Sequence, residues 1–284
     1  LIEKKKIRKH RLINALQTVL FLVMVVGLLC IFAYLLFGAL GSVITLTVMT
    51  IFFFFGSNIS PNMVLRLYGA RELSPREAPG LYRLVDELSH RASISSRVQL
   101  YCIEDQKMNA FSTGNRSRPC IAFSTGLLSI LNEREVRGVM AHEFSHLIHG
   151  DIKIMVLSQL IGKLVSFFSF LAQFLILINI PFILSGQVLI PFWFILMALV
   201  APTGILLLQL KLFRIREYDA DLTAAELTDD PEGLAQALHK IGQVHKGLFS
   251  FFGRFRRRQK EPPEWLSSHP PSKERIKRLM ALNV

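Results

Sequence analysis

Five consecutive residues, His142-Glu143-Phe144-Ser145-His146, have the types and the spacing for metal-assisted hydrolysis. On a helix the two imidazoles stand a little over one turn apart on one face, where both can bind a single zinc ion at about 2.0–2.1 Å. Zinc lowers the pKa of a water it holds toward about 7. Glu143, beside the first histidine, is then placed to take the water's proton as it attacks a peptide carbonyl and to pass that proton to the departing amine. The residues ahead of the pair, from Glu133 to Ala141, read as an amphipathic helix with Asn132 as its cap, which is the context the pair requires.

A catalytic metal also needs a third protein ligand and an open position. Cys30, Cys102 and Cys120 are too scattered for a thiolate site or a disulfide framework, so the ligand is a carboxylate or another histidine. His149 lies three residues past His146 and is displaced along the helix from a metal between the first two. Asp151 suits an acceptor or helix-end role. Further on, Arg214-Ile215-Arg216-Glu217-Tyr218-Asp219-Ala220-Asp221 places Glu217 and Asp221 four apart. That pair reads either as a solvated helix surface or as one metal ligand plus one acceptor orienting an imidazole through its second nitrogen.

The elements that must position these residues follow from composition. Hydrophobic residues are 51% of the 284 and charged ones 19%, below the roughly 25% of soluble domains. The charge deficit falls in two blocks, from Leu12 to about Ser57 and from Ile154 to about Phe213. Val19 to Phe37 is nearly pure hydrocarbon, close to the roughly 20 residues of a membrane crossing. Gly38 and Gly41 interrupt it before a second run, Val43 to Phe55, that ends at Gly56-Ser57-Asn58. Ile154 to Leu184 carries Lys163 alone as a charge, near enough to the start to snorkel, and Ser185-Gly186 separates it from Val188 to Leu212. Two helical hairpins, four spans in all, would return both termini and the middle segment to one side. The basic run Lys4 to Arg11 marks that side as cytoplasmic.

The formal charge of +12 sits largely beside these blocks, as expected of contact with lipid headgroups rather than nucleic acid, and no nucleic-acid module is present. The first residue is Leu1, as expected of a trimmed start, and the first apolar block is too long for a signal-peptide core. Between the blocks, helical spacing over Glu77 to Arg91 and Glu133 to His149 and strands at Val98 to Ile103 and Cys120 to Phe123 predict an α+β segment with a small sheet. The expected organisation is a basic N-terminus and hairpin over 1–58, a zincin-like cytoplasmic catalytic segment over 59–153, a second hairpin over 154–213 and a C-terminal segment completing the site over 214–284. Phe249 to Lys260, aromatic and basic, reads as a membrane-surface loop, a substrate gate or an insertion.

The ordered set of His142 to His146 with Gly150-Asp151, two spans, and Arg216 to Asp221 resembles the HtpX family of membrane zinc metalloproteases, relatives of the CAAX prenyl proteases. Met108 to Gly114, Phe123 to Leu128 and Ser268 to Ile276 extend the resemblance over nearly the whole chain. It implies Zn2+ held by His142, His146 and Glu217, Glu143 as general base, and Asp221 and Asp151 behind the ligands. It implies that His269 and Arg275 approach the substrate carbonyl and stabilise the oxyanion. Read without it, Arg275 is a helix-surface charge among Lys273, Lys277 and Arg278. The resemblance also implies a substrate site at Asn109, Ala110, Ile121, Ala122 and Phe123, on an edge strand along which an extended peptide lies. The function it implies is stress-related quality control at the inner membrane, cutting cytoplasm-facing segments of damaged membrane proteins, with polypeptide substrates, the bilayer and quality-control proteins as partners. Competing readings are a processing protease for one membrane peptide, a non-catalytic scaffold with structural zinc, and a transporter. Structural zinc has four protein ligands, and a transporter predicts charges inside the spans.

Overall fold

The computed structural model describes residues 4–55, 60–186, 192–252 and 273–283. His269, the end of the second apolar run at Gly56-Ser57-Asn58 and residues 253–260 of the aromatic and basic segment lie outside the described residues. In chain order the elements begin with α1 (Lys4–Phe55), α2 (Pro61–Leu67), β1 (Arg71–Glu72), α3 (Pro79–Ala92) and β2 (Gln99–Ile103). There follow β3 (Ala110–Asn115), β4 (Arg118–Ser124), α4 (Thr125–Ile130), α5 (Glu133–His149) and α6 (Asp151–Leu184). Then come α7 (Phe192–Thr228), α8 (Pro231–Phe252) and α9 (Lys273–Met280), and a single 3-10 turn, Ala281–Asn283. The architecture is α+β and mostly helical, with one small mixed sheet.

Two compact units result. One joins Ile59–Ile152 to Arg216–Val284, and the other joins Lys4–Asn58 to Lys153–Ile215. The second unit is built from the apolar helices. Its first helix breaks at Gly38 (φ 67, ψ −160), where the sequence predicts a turn. Past the break Ser42 Oγ donates to the Cys30 carbonyl at 2.9 Å, so the two limbs lie side by side as a hairpin. Its interior includes Phe21, Val25, Leu29, Ile161, Val165 and Ile205, and Gln209 donates to the Ser158 carbonyl between α6 and α7. Among the described residues no helix is long and apolar enough to cross a membrane.

In the first unit the sheet order is β1-β2-β4-β3, with β2 and β4 parallel and the other pairings antiparallel. Alternation along the strands gives the sheet two apolar faces. Leu100, Ala110, Ile121 and Phe123 pack with Leu88 of α3 and Val136, Met140 and Phe144 of α5. Ile103, Phe111, Cys120 and Ala122 face the other way and are covered by Leu65 of α2. One expectation is corrected here. Ile121-Ala122-Phe123 is not an edge strand, because β4 is paired to β2 on one side and β3 on the other, and all three side chains are fully buried. Its main-chain groups are already used, and the edge nearest α5 is β3.

Helix α5 starts where the sequence places it. The Asn132 side chain accepts from the Glu135 N–H at 2.9 Å and the Glu135 carboxylate accepts from the Asn132 N–H at 2.9 Å, a reciprocal cap. Lys240 of α8 reaches the same carboxylate at 2.8 Å. A Cβ on Gly138 would meet the Leu234 backbone nitrogen at 2.7 Å, so the bare glycine lets α8 lie directly on α5 one turn before His142.

Candidate metal centre

Helix α5 puts His142 and His146 on one face, as their spacing demands, and both are almost fully buried. Their Nε2 atoms stand 3.3 Å apart. Two donors each about 2.0–2.1 Å from one tetrahedral zinc ion stand about 3.3–3.4 Å apart, so this separation is the one such an ion needs. Helix α7 supplies the third donor. Glu217 Oε2 is 3.5 Å from His142 Nε2 and Oε1 is 3.9 Å from His146 Nε2. His142, His146 and Glu217 are the one group among the described residues whose donor atoms converge in this way, all within 4.8 Å of one another. His149, the competing histidine, is not in it.

The outer nitrogen of each imidazole is held by a carboxylate. Gly150, in the left-handed region at φ 67, ends α5 and turns the chain so that Asp151 Oδ2 lies 2.8 Å from His146 Nδ1. The other oxygen of Asp151 accepts from Arg216 Nη1 at 3.0 Å, and Asp151 is completely buried. His142 Nδ1 lies 3.1 Å from Asp221 Oδ1. With both Nδ1–H groups committed to carboxylates, the Nε2 lone pairs face each other and Glu217. That donor set, two neutral imidazoles and a carboxylate, suits zinc.

Arg275, from α9, is buried rather than on a helix surface. Its Nε and Nη2 donate to the two oxygens of Asp221 at 2.7 and 2.6 Å, and Nη1 lies 2.7 Å from Glu217 Oε2. Burial works to raise the pKa of Asp221, yet Arg275 and His142 outweigh it and hold the carboxyl below its ordinary range. Burial likewise works to lower the pKa of His142, while hydrogen bonds to Asp221 and Glu217 move it upward on balance. The guanidinium of Arg275 is driven above its ordinary value against its own burial by Asp221 and Glu217.

A cleft opens beside these groups. Glu143, His142, Arg275 and Ala110 line it, and its remaining wall is apolar, from Met108, Leu127, Val139, Leu234, Leu238 and Ile241. Of the residues expected to meet substrate, Ala110 is here. Asn109 flanks β3, its N–H donating to Ser124 Oγ at 2.9 Å, whereas Ile121, Ala122 and Phe123 lie inside the sheet. The α8 wall is the functional element that reading the sequence missed. Leu234, Leu238 and Ile241 recur at i, i+4 and i+7, a helical stripe that was there to be found. Arg216, which fixes Asp151, stands in the segment that carries the resemblance, but nothing in the sequence tied it to Asp151.

Residues 75–283 match the family described as Peptidase family M48. Curated relatives include a protein named protease HtpX homolog from Paraburkholderia phytofirmans, 33% identical over 286 residues that cover 95% of this chain and 97% of the relative. Another of the same name, from Burkholderia thailandensis, is 32% identical over the same shares of the two chains. With a family match over most of its length and relatives of this closeness, the chain belongs to peptidase family M48, among the HtpX-type proteases, and is a metalloprotease.

Proposed function

We propose that the chain is a zinc-dependent endopeptidase of the inner membrane, cutting cytoplasm-facing segments of misfolded or damaged membrane proteins in response to stress. The observation that carries the catalytic part is the 3.3 Å separation of the His142 and His146 Nε2 atoms with Glu217 closing the third side and Glu143 in the adjoining cleft. His142, His146 and Glu217 would hold zinc, which would supply a Lewis acid there and lower the pKa of a water. Glu143 is placed to take a proton from the attacking water and to give it to the leaving nitrogen. Asp151 and Asp221 hold the imidazoles in the tautomer that leaves Nε2 free. Arg275 fixes Glu217 and places positive charge beside the cleft, and His269 keeps the oxyanion role that the family resemblance implies. An extended peptide laid along β3, with main-chain hydrogen bonds, would put an apolar side chain against Leu234, Leu238 and Ile241.

The membrane part rests on the second unit. Its outward side chains include Val23, Leu40, Phe170 and Leu177, each more than 60% exposed, whereas Ser158, Ser169 and Gln209 are buried. So many large apolar side chains facing outward, over an interior that also takes in polar groups, fit helices whose solvent is hydrocarbon. The helical sequence Val19 to Phe37 has no charged residue, and at about 1.5 Å per residue it comes close to the roughly 30 Å of a bilayer core. In this reading the chain crosses four times and the basic N-terminus puts the site on the cytoplasmic side.

Glu143→Gln tests the chemistry. The variant is expected to keep metal and thermal stability and to lose cleavage of a reconstituted membrane-protein substrate. Cleavage surviving in a preparation free of other proteases would leave a non-catalytic scaffold as the better reading.

A further inference from the structure

Among the described residues, one face of helix α2 is left exposed. Leu65 points inward to Ile103, Phe111, Cys120 and Ala122 and is buried. On the opposite side Met63 and Leu67, one turn apart, are 72% and 69% exposed, with Arg66 exposed between them. Two large apolar side chains and an arginine thus stand together on the outside of a short helix. The basic character extends past α2. A Cβ on Gly114 would lie 3.2 Å from Pro61 Cγ, so the β3–β4 hairpin, whose tip carries exposed Arg116 and Arg118, abuts the start of α2. No Asp or Glu occurs from Leu1 to Arg71 apart from Glu3, and none from Gln106 to Asn132.

We propose that this face seats the catalytic unit on an anionic lipid surface, with Met63 and Leu67 entering the acyl boundary and Arg66, Arg116 and Arg118 meeting the headgroup phosphates. The inference rests on the reading that α1 crosses a membrane. In sequence only five residues, 56–60, separate the end of α1 from α2. An apolar pair flanked by arginines matches the chemistry of the interface, where hydrocarbon and anionic groups meet. A substrate clamped at β3 would then be drawn from polypeptide close to the bilayer.

The test uses the full chain in vesicles of phosphatidylglycerol and phosphatidylcholine with brominated acyl chains. Met63→Trp and Leu67→Trp are made singly, and the fluorescence added to that of the two native tryptophans is followed. Val23→Trp, on the outside of α1, reports the crossing, and Asp86→Trp, exposed on α3, reports water. The expected result is quenching by bromolipid at 63, 67 and 23 but not at 86, with quenching at 63 and 67 reduced by Arg66→Glu or by omitting the anionic lipid. Quenching at 23 with 63 and 67 open to aqueous acrylamide would overturn the seating while leaving the membrane reading intact. Shielding of 63 and 67 from both quenchers would mean that protein covers the face, which also overturns it. Absence of quenching at 23 would remove the membrane reading and this inference together.

Discussion

Replacing Arg275 by methionine removes a buried cation from between two buried carboxylates while keeping much of the side chain's apolar bulk. The guanidinium is 3% exposed and sits 2.6–2.7 Å from oxygens of both Asp221 and Glu217. At an effective dielectric near 20, a pair of unit charges about 4 Å apart is worth about 4 kcal/mol. The desolvation Arg275 no longer suffers offsets part of this, and removing one member of a buried pair costs about 3–5 kcal/mol in practice. Set against a typical stability of about 5–15 kcal/mol, that is a large share. The loss should depend on metal, because a divalent cation at Glu217 supplies part of the positive charge that Arg275 gave. The expected outcome is a drop of about 3–5 kcal/mol in chelator-treated protein, followed by chemical denaturation in detergent, and a smaller drop in zinc-saturated protein. Arg275→Lys should recover only part, since an ammonium cannot reproduce the two-pronged contact with Asp221. A loss under about 1 kcal/mol, or one equal with and without zinc, would refute the assignment of Arg275 as the group that neutralises and fixes these carboxylates.

Three further outcomes test the site and its frame. Asp151→Asn leaves His146 without its charged anchor and is expected to weaken zinc affinity about 10–100-fold in competition with a chelating dye, and an unchanged affinity would remove the orienting role. Glu217→Ala should weaken it further than that, and metal analysis showing full, tight occupancy in this variant would point to another third ligand. Asp230 takes a two-pronged contact from Arg134 at 2.6 and 2.7 Å, and chiefly that hydrogen bonding holds its carboxyl below the usual range. A lowered folded-state pKa stabilises above the unfolded value of about 3.9 and loses that contribution as pH falls through the lowered one. Asp230→Asn should therefore cost about 1 kcal/mol at neutral pH, discounted for the half-exposed Arg134, and the gap to wild type should close in acid. A pH-independent gap in midpoint would mean that the ion pair is not its source.

How much of this was readable in advance depended on sequence distance. His142 and His146 are one helical turn apart, and Asn132 and Glu135 cap the same helix, so local geometry alone determined that element and its metal-facing side. Glu217 and Asp221 were visible as a pair four apart but equally consistent with a solvated surface, because what distinguishes the two is α5 packed against them, some 70 residues earlier in the chain. Arg275 shows the same limit more sharply. Among Lys273, Lys277 and Arg278 nothing in its neighbours marks it as buried, and only the carboxylates of α7 do. Strand β3 was missed because Ala110-Phe111-Ser112-Thr113-Gly114-Asn115 lacks apolar alternation, being held by pairing to β4 rather than by its own pattern. The same pairing moved β4 off the edge. Register and neighbour order come from tertiary contacts that a single strand's sequence does not encode.

The three segments that build the site come together only in the packed unit. Histidines arrive on α5, carboxylates on α7 and the arginine that holds those carboxylates on α9, and the three-donor set exists only when α5 and α7 are packed together. The placement of α7 against α5 is itself held at its far end, where Arg91 of α3 donates to the Leu227 carbonyl at 3.0 Å and Arg137 of α5 to the Thr228 carbonyl at 3.2 Å. These guanidiniums satisfy carbonyls that the helix end leaves open and so set α7 in register with α5. An unfolded chain offers single histidines and carboxylates, whereas the folded unit offers three converging donors. Any metal affinity gained from that convergence is thus returned as stability of the fold. Change at α9 or at the Arg91 and Arg137 caps, though distant from the ion in sequence, acts on the metal centre through the same packing that holds the sheet and α5 together.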